Sequence, residues 1–464
     1  MIKQAIEIEW KIQFMARILL CSVLFFINSP QIYSQTKGLD EKINEAFMPF
    51  AVWWENLILS EIPIFGHGIP VVLIILILGA LFFTLYFGFV NIRHFPTAIQ
   101  VVRGKYDDLE KSASQIKPQV YEMDGDLVDT IKDEAHLGEV NHFQALATAV
   151  SGTVGLGNIA MVAVAISIGG PGATFWMIMA GLLGMSSKFV ECTLGVKYRD
   201  IDRTGNVYGG PMYYLSKGLK ENGLARLGKV LAVVFAVLCV GASFGGGNAF
   251  QSNQAAAQII ERFGFSGAAS GSIIGLVFAL LAGIVIIGGI KRIAKVTEKV
   301  VPFMAILYVG AALFIIFSKI EWVDDAFTAI FTDAFTPKAT ITGGFVGVLI
   351  QGFRRAAFSN EAGAGSAAIA HSAVNTAFPA SEGLVGLLEP FIDTVLICTM
   401  TAVVIILFNM DGVFVYGDVL NGQALLADGS RLGGVNITSL AFESSIPGSS
   451  YVLMLAVCLF AFST

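Results

Sequence analysis

The sequence predicts an all-α polytopic membrane protein. Three observations carry this. Only 14% of the 464 residues are charged while 55% are hydrophobic, against about 25% charged in soluble domains. The mean hydropathy is +0.72. Apolar runs recur at about the 20-residue length that crosses a hydrocarbon layer. The net charge of −6 decides little, because the charge is confined to loops, and no nucleic-acid partner is expected. The cysteines (Cys21, Cys192, Cys239, Cys398, Cys458) lie in apolar runs without paired spacing. They read as buried, inert thiols rather than a disulfide framework or a zinc site.

Residues 1–35 place Lys11 and Arg17 ahead of an apolar Ile18–Ile27 stretch and a polar Ser29–Gln35. This is the layout of a secretory signal peptide without an A-x-A cleavage site, and an extra anchor is the alternative. Residues 36–68 are acidic overall and suit an extracytoplasmic segment, with Trp53-Trp54 as an interface belt. The first span covers 69–90. Arg93, Arg103 and Lys105 follow it and put the 91–141 loop in the cytoplasm, ending in a polar, mostly acidic insert. Residues 142–318 hold spans at 143–168, 174–196, 230–260, 269–290 and 301–318. Residues 319–464 hold an amphipathic outer stretch to Pro337, spans at 341–373 and 384–408, a polar outer loop at 409–445 and a further apolar run from Tyr451.

The topology rests on basic loops. The 197–229 loop carries Lys197, Arg199, Arg203, Lys217, Lys220, Arg226 and Lys229 against Asp200, Asp202 and Glu221, and Lys291, Arg292, Lys295 and Lys299 follow the 269–290 span. Every strongly basic loop then falls on the cytoplasmic side. The last apolar run stops at Thr464 without a polar flank. A free carboxylate at membrane depth costs several kcal/mol, so the sequence is expected to be part of a longer reading frame.

Two spans are interrupted. Ser151-Gly152-Thr153-Val154-Gly155-Leu156-Gly157-Asn158 sits in the middle of 143–168, and Phe358-Ser359-Asn360-Glu361-Ala362-Gly363-Ala364-Gly365-Ser366 lies within 341–373. Glycines and polar side chains at this density disfavour a continuous lipid-facing helix. Unwound backbone at membrane depth persists only where protein buries it or it lines a cavity. Freed carbonyls can then coordinate a cation and freed N–H groups can hold an anionic group. A pair of Gly-interrupted spans in corresponding places of two halves points to the binding site of a secondary transporter.

Intramembrane charges each need a partner or a task. Lys188 and Glu191 are spaced i,i+3 and are expected to pair with one another. Arg354, Arg355 and Glu361 surround the second interruption, where they brace or gate it or touch a ligand. Glu389 and Asp393 share a helical face at i,i+4, and a network with Arg354 or Arg355 or a part in ion coupling would settle their repulsion. Asn248 and Gln251 in the fourth span either hydrogen-bond a ligand or join helices. Gly155-Leu156-Gly157-Asn158-Ile159-Ala160 fits G-x-G-x-x-A without any βαβ context and is not read as a nucleotide site. The five histidines show no ligand spacing, and neither a nucleophile–base arrangement nor a Walker motif occurs. An enzyme is not indicated, and transport would run on a gradient.

Several stretches together resemble the alanine or glycine:cation symporter family: Gly152 to Ala160, Gly169-Gly170-Pro171-Gly172-Ala173 with Phe175-Trp176, Lys188-Phe189-Val190-Glu191 leading to Val196-Lys197-Tyr198-Arg199, Gly209-Gly210-Pro211-Met212-Tyr213-Tyr214, and Phe358 to Gly363 through Ile369-Ala370-His371. The likeness covers about residues 70–464. It implies a multi-pass sodium:amino-acid symporter of the bacterial inner membrane with a leucine-transporter-type fold. One extra helix (69–90) would precede two inverted five-helix repeats. Residues 142–318 would supply the first repeat and 319–464 part of the second, C-terminally truncated within core helix eight.

The resemblance also implies a site. Thr153, Gly155, Leu156, Gly157, Gln251, Phe358, Ser359, Asn360 and Gly363 would line the substrate pocket, with the Leu156 and Gly157 N–H groups on the substrate carboxylate. Ser151, Val154, Phe460, Ser463 and Thr464 would hold sodium, and Asn158 matches a side-chain ligand of a second sodium site. Arg354, Arg355, Glu361, Glu389 and Asp393 form the candidate coupling or gating network. The expected cargo is a small neutral amino acid, alanine or glycine, moved with Na+ by a monomer in the lipid bilayer, and no cofactor is expected. The alternatives are proton-coupled symport with Glu389 or Asp393 as carrier, and a non-transporting membrane receptor for an amino acid.

Overall fold

The computed structural model describes residues 39–64, 67–109, 138–202, 205–265, 269–336, 344–420 and 422–464. The expected signal peptide at 1–35 and most of the acidic insert after Asp107 lie outside them. Residues 1–60 and 61–464 are separate compact units. In the first, Leu39–Ile58 is one helix with Pro49 inside it. The exposed Phe47, Phe50, Trp53 and Trp54 rings gather at centroid distances of 5.3–6.4 Å. The acidic 36–68 segment is therefore helical over most of its length.

In the second unit, Gly172–Lys197, Ala225–Phe263, Gly289–Ser318 and Pro379–Asp411 are each long and apolar enough to cross a membrane. His142–Thr153 and Gly157–Gly169 together make a fifth such span, bent by 52°. The shorter apolar helices Val71–Tyr86, Ser270–Ile286 and Ser449–Ser463 fall where spans are expected at 69–90, 269–290 and beyond Tyr451. Burial separates their roles. Val230, Val233, Val234, Val237 and Val240 leave an exposed apolar stripe on the fourth span. Thr399–Phe408 is buried on every side from Met400 onward, as an all-round apolar helix must be.

Three loops depart from expectation. The basic 291–299 segment is the first third of a continuous Gly289–Ser318 helix, with Pro302 inside it. Lys291, Lys295 and Lys299 recur every fourth residue with Glu298 among them, so the charges line helical faces beyond the apolar part. The 197–229 loop folds into a hairpin, Asp200–Ile201 against Val207–Tyr208, and the helix Pro211–Glu221. A buried Lys217–Asp200 ion pair ties the two. The outer 409–445 loop holds an antiparallel sheet of Phe414–Leu420, Gln423–Leu426 and Arg431–Gly433, then the helix Val435–Ser445. The chain is thus mostly helical rather than all-α. The aromatic and β-branched residues Phe414, Val415, Tyr416 and Val419 favour the strand.

Gly172–Lys197 is the central helix, packed on Gly344–Asn360, Pro379–Gly386, Ala367–Ser372 and Val71–Tyr86. Small residues permit the close approach. A Cβ on Gly352 would lie 2.5 Å from the Ala173 carbonyl oxygen, and one on Gly195 would lie 2.9 Å from that of Ala368. The same helix holds the buried charges, and here the expected Lys188–Glu191 pair is replaced. Lys188 Nζ lies 3.1 Å from Glu389 Oε1, with both side chains fully buried, and Glu191 Oε1 accepts from the Gly363 N–H. Each group finds a better-aligned partner across the helix interface than along its own helix.

Removing one member of a buried pair strands the other charge at a cost of about 3–5 kcal/mol. Lys188→Met is therefore expected to lower the melting temperature of the detergent-solubilised protein sharply. Lys188→Met with Glu389→Leu should regain most of the loss. A double variant no more stable than Lys188→Met would mean that the pair is not the coupled unit.

Candidate functional site

The first interruption begins from a well-formed helix start. Asn141 Oδ1 accepts from the Gln144 N–H at 2.8 Å, and Gln144 Oε1 accepts from the Asn141 N–H at 3.1 Å, a capping box. The helix runs to Thr153, Val154 leaves it at ψ 85°, and the chain resumes as the π-helical turn Gly157–Met161. The freed backbone is held by side chains. The Gly155 N–H donates to Asn158 Oδ1 at 3.1 Å, and the Leu156 N–H donates to Gln251 Oε1 at 2.8 Å. A side chain on Gly155 would have to push its neighbours aside: a Cβ there would lie 2.7 Å from Thr464 Oγ1 and 3.0 Å from both amide atoms of Gln251.

The second interruption lies between Gly344–Asn360 and Ala367–Ser372. Glu361 adopts a left-handed conformation at φ 51°, with Gly363 at φ 93° and Gly365 at φ 89°, which only the glycines adopt without strain. Asn360 Oδ1 accepts from the Ala362 N–H at 3.0 Å, Glu191 accepts from the Gly363 N–H, and Ser366 Oγ donates to Glu361.

The two interruptions meet on one segment, the π-helical Phe391–Cys398. Asn158 Nδ2 donates to Asp393 Oδ1 at 2.6 Å and lies 3.3 Å from Cys398 Sγ. From the other side, Ser359 Oγ lies 3.3 Å from the same sulfur, and Asn360 Nδ2 donates to Thr394 Oγ1 at 2.9 Å. Thr394 in turn donates to Asp393 Oδ2 at 2.6 Å. Gly157 faces the second interruption directly: a Cβ there would lie 3.1 Å from Arg355 Nη2 and 3.7 Å from the Phe358 ring.

The remaining candidates divide. The Thr464 hydroxyl faces the Val154 carbonyl at 3.5 Å and donates to the Phe460 carbonyl at 2.9 Å. Ser463 Oγ instead points to Met304 Sδ at 3.2 Å. Ser151 is buried, with its hydroxyl on the Thr148 carbonyl at 2.7 Å, and the Thr153 hydroxyl turns back to the Ala149 carbonyl at 3.3 Å. Phe358 is about half exposed (48%), its ring against Phe250. A cavity of about 750 Å³ is lined by Ser151, Thr153, Asn248, Glu361, Ser463 and Thr464, so it opens on one side of the first interruption. Asn248 lies exposed, donating to the Ser243 carbonyl at 3.0 Å.

The expected arginine network forms only in part, with Arg355 near Asp393. Glu389 takes Lys188, Asp393 takes Asn158 and Thr394, and Arg354 is exposed. Arg355 is buried beside Asp393 without a hydrogen bond from its nitrogens. Sequence reasoning also missed a buried cluster. His142 Nδ1 and His371 Nδ1 each meet one oxygen of Glu382, and His371 Nε2 lies 3.8 Å from Glu389 Oε2. Glu382 joins an element before the first interruption to one after the second, a pairing 240 residues apart that carries no local signal.

A family model for sodium:alanine symporters matches residues 118–464. A sodium/alanine symporter of Methanococcus maripaludis is 36% identical over 396 residues, which are 85% of this chain and 77% of that protein. An uncharacterized transporter of Haemophilus influenzae is 37% identical over 415 residues, 88% of this chain and 79% of that protein. A probable sodium/glutamine symporter of Bacillus subtilis is 35% identical over 335 residues, 72% of this chain and 62% of that protein.

The crowding at Gly155 yields a test. In Gly155→Ala the new methyl must displace Thr464 and Gln251 from the interruption. Transport is expected to fall at least tenfold with the amount of protein in the membrane unchanged, as read by immunoblot. Gly152, around which a Cβ meets nothing within 4 Å, is the control, and Gly152→Ala should retain most activity.

Proposed function

The chain belongs to the sodium:alanine symporter family, and from that premise we propose that it imports a small neutral amino acid, alanine or glycine, together with Na+ by alternating access. It acts as a monomer in the bacterial inner membrane. Membership makes it an integral membrane protein of a cation-coupled amino-acid transporter family. The finer reading has one main support: two interrupted helices meet at Asp393–Cys398, with their freed N–H groups held by side chains and the Val154 carbonyl facing a hydroxyl. The arrangement suits a leucine-transporter-type fold in which 69–90 precedes the repeats 142–318 and 319–464.

Sodium is a hard cation that takes carbonyl and hydroxyl oxygens. In this reading the carbonyls of Ser151, Val154 and Phe460 and the hydroxyls of Ser463 and Thr464 receive it, and Asn158 belongs to a second cation position. Thr153, Gly155, Leu156, Gly157, Gln251, Phe358, Ser359, Asn360 and Gly363 surround the amino acid. The crowding around Gly155 favours a small side chain. Alanine is a zwitterion, so the membrane potential acts on the ion, at about 2.3 kcal/mol per 100 mV for each charge moved.

Uptake of labelled alanine by the full-length protein in liposomes is expected to require an inward sodium gradient. A potassium-only buffer should reduce it to the level of empty liposomes. Equal uptake in potassium would remove sodium as the coupling ion, and uptake driven by a proton gradient alone would put a proton in its place. A tenfold preference for glutamine over alanine and glycine would overturn the substrate assignment.

A further inference from the structure

Arg355 is 4% exposed, and among the described residues none of its three guanidinium nitrogens has a hydrogen-bond partner of normal geometry, although the Cys398 thiol lies beside it. A buried cation is costly unless it is both paired and hydrogen-bonded, so N–H groups without acceptors call for one. Its position is specific. Nη2 and Nη1 lie 3.1 and 3.6 Å from where a Cβ on Gly157 would stand, so the guanidinium roofs the backbone of the first interruption. The Phe358 ring lies under it, 5.6 Å from ring centroid to Cζ. Asp393 and the Cys398 thiol are within electrostatic reach. Both Asp393 oxygens, however, are engaged at 2.6 Å by Asn158 and Thr394, and the aspartate makes no hydrogen bond with the arginine.

Of the two backbone donors expected to meet a carboxylate, those of Leu156 and Gly157, the first already has a neutral partner. The Leu156 N–H is held by Gln251 Oε1 at 2.8 Å. What lacks a hydrogen-bond partner beside the interruption is a planar fork of guanidinium N–H groups, closed off from solvent, the geometry that binds a carboxylate through two parallel hydrogen bonds. We propose that Arg355 is the charged half of the substrate's carboxylate subsite: its guanidinium pairs with the free α-carboxylate of the transported amino acid over the Gly157 backbone. Ligands without a free carboxylate are thereby rejected. The proposal rests on the amino-acid reading above and adds the residue that reads the acid group.

The test compares an acid with its amide. L-Alanine and L-alaninamide share the side chain and the ammonium group, but the amide lacks the negative charge and carries a net positive one. Competition against labelled alanine is measured in sodium chloride on the purified full-length protein. The wild type should bind the amide at least ~30-fold more weakly, the scale of a buried charge pair lost. In Arg355→Gln, alanine binding should weaken and the acid-to-amide ratio should collapse to within ~3-fold, because a carboxylate loses its partner while an ammonium-bearing amide loses a repulsion. Arg355→Lys, which keeps the charge without the fork, should fall between them.

A purely structural arginine would lower both affinities together and leave the ratio unchanged, and that result overturns the proposal. So does a wild-type ratio near one, which needs no variant to fold. If glycine, serine or glutamine binds in place of alanine, the substrate assignment fails, and the acid and amide of that amino acid decide on Arg355 alone. If no amino acid binds in sodium, both readings fall.

Discussion

Every feature near the site follows from one constraint: backbone groups freed inside a membrane must find partners within the protein, because lipid supplies none. Two interruptions free several N–H groups, and four side chains take them. Asn158 holds Gly155, Gln251 holds Leu156, Asn360 holds Ala362, and Glu191 holds Gly363. Using a carboxylate for the last of these brings a negative charge into the core. Lys188 lies one turn away on the same helix but pairs with Glu389, which also faces His371; His371 meets Glu382, and Glu382 meets His142. Glu191 and this buried chain of charges therefore adjoin one another around the backbone repair, and deleting one member strands the next.

The three residues that reach furthest into the site share a second feature. Asn158 lies in the π-helical Gly157–Met161, Asp393 lies in Phe391–Cys398, and Gln251 follows Ser243–Ala249 by two positions. A π turn inserts a residue into a helix and rotates the face that follows, which is why such turns gather at functional sites. Here the rotation lets apolar helices aim single polar groups inward while the rest of their surface stays apolar. Glycine prepares the turn before Gln251, through Gly245-Gly246-Gly247. The other two are held by what they bind: Asn158 and Asp393 are joined to each other.

Much of this was legible in the sequence, and the reason is local. Glycine and polar residues clustered inside apolar runs mark unwound backbone, so both interruptions fall inside the expected stretches, although the helices continue three residues into each, to Thr153 and Asn360. Thr464 opposite Val154 and Gln251 beside Gly155 came from the family resemblance rather than from any pattern. Partner choice was not legible. Lys188 and Glu191 are ideally spaced for a pair on one helix, yet the core offers Lys188 a fully buried carboxylate across the interface. The Glu382 cluster joins segments far apart in the chain, and no periodicity records that. The 291–299 segment was misread because positive charge was weighed as a loop signal, when its four-residue spacing is equally that of a helix end leaving the membrane.

The two interruptions are held with unequal strength, and this sets which of them can answer a ligand. The Gly363 N–H is bound by a carboxylate oxygen, an interaction of about 1.5–3 kcal/mol when that group is ionised, whereas the Leu156 N–H is bound by a neutral amide, at about 0.5–1.5 kcal/mol. An arriving carboxylate is the stronger acceptor at Leu156 and can take that N–H from Gln251, but it offers no gain over Glu191 at Gly363. Gln251 sits on a different helix from Leu156, so its release would uncouple the fourth span from the first interruption. Glu191 would keep the second interruption fixed to the central helix. In the proposed reading, ligand arrival would therefore loosen one contact between helices while the other holds, which is the asymmetry that a change of access about a fixed site needs.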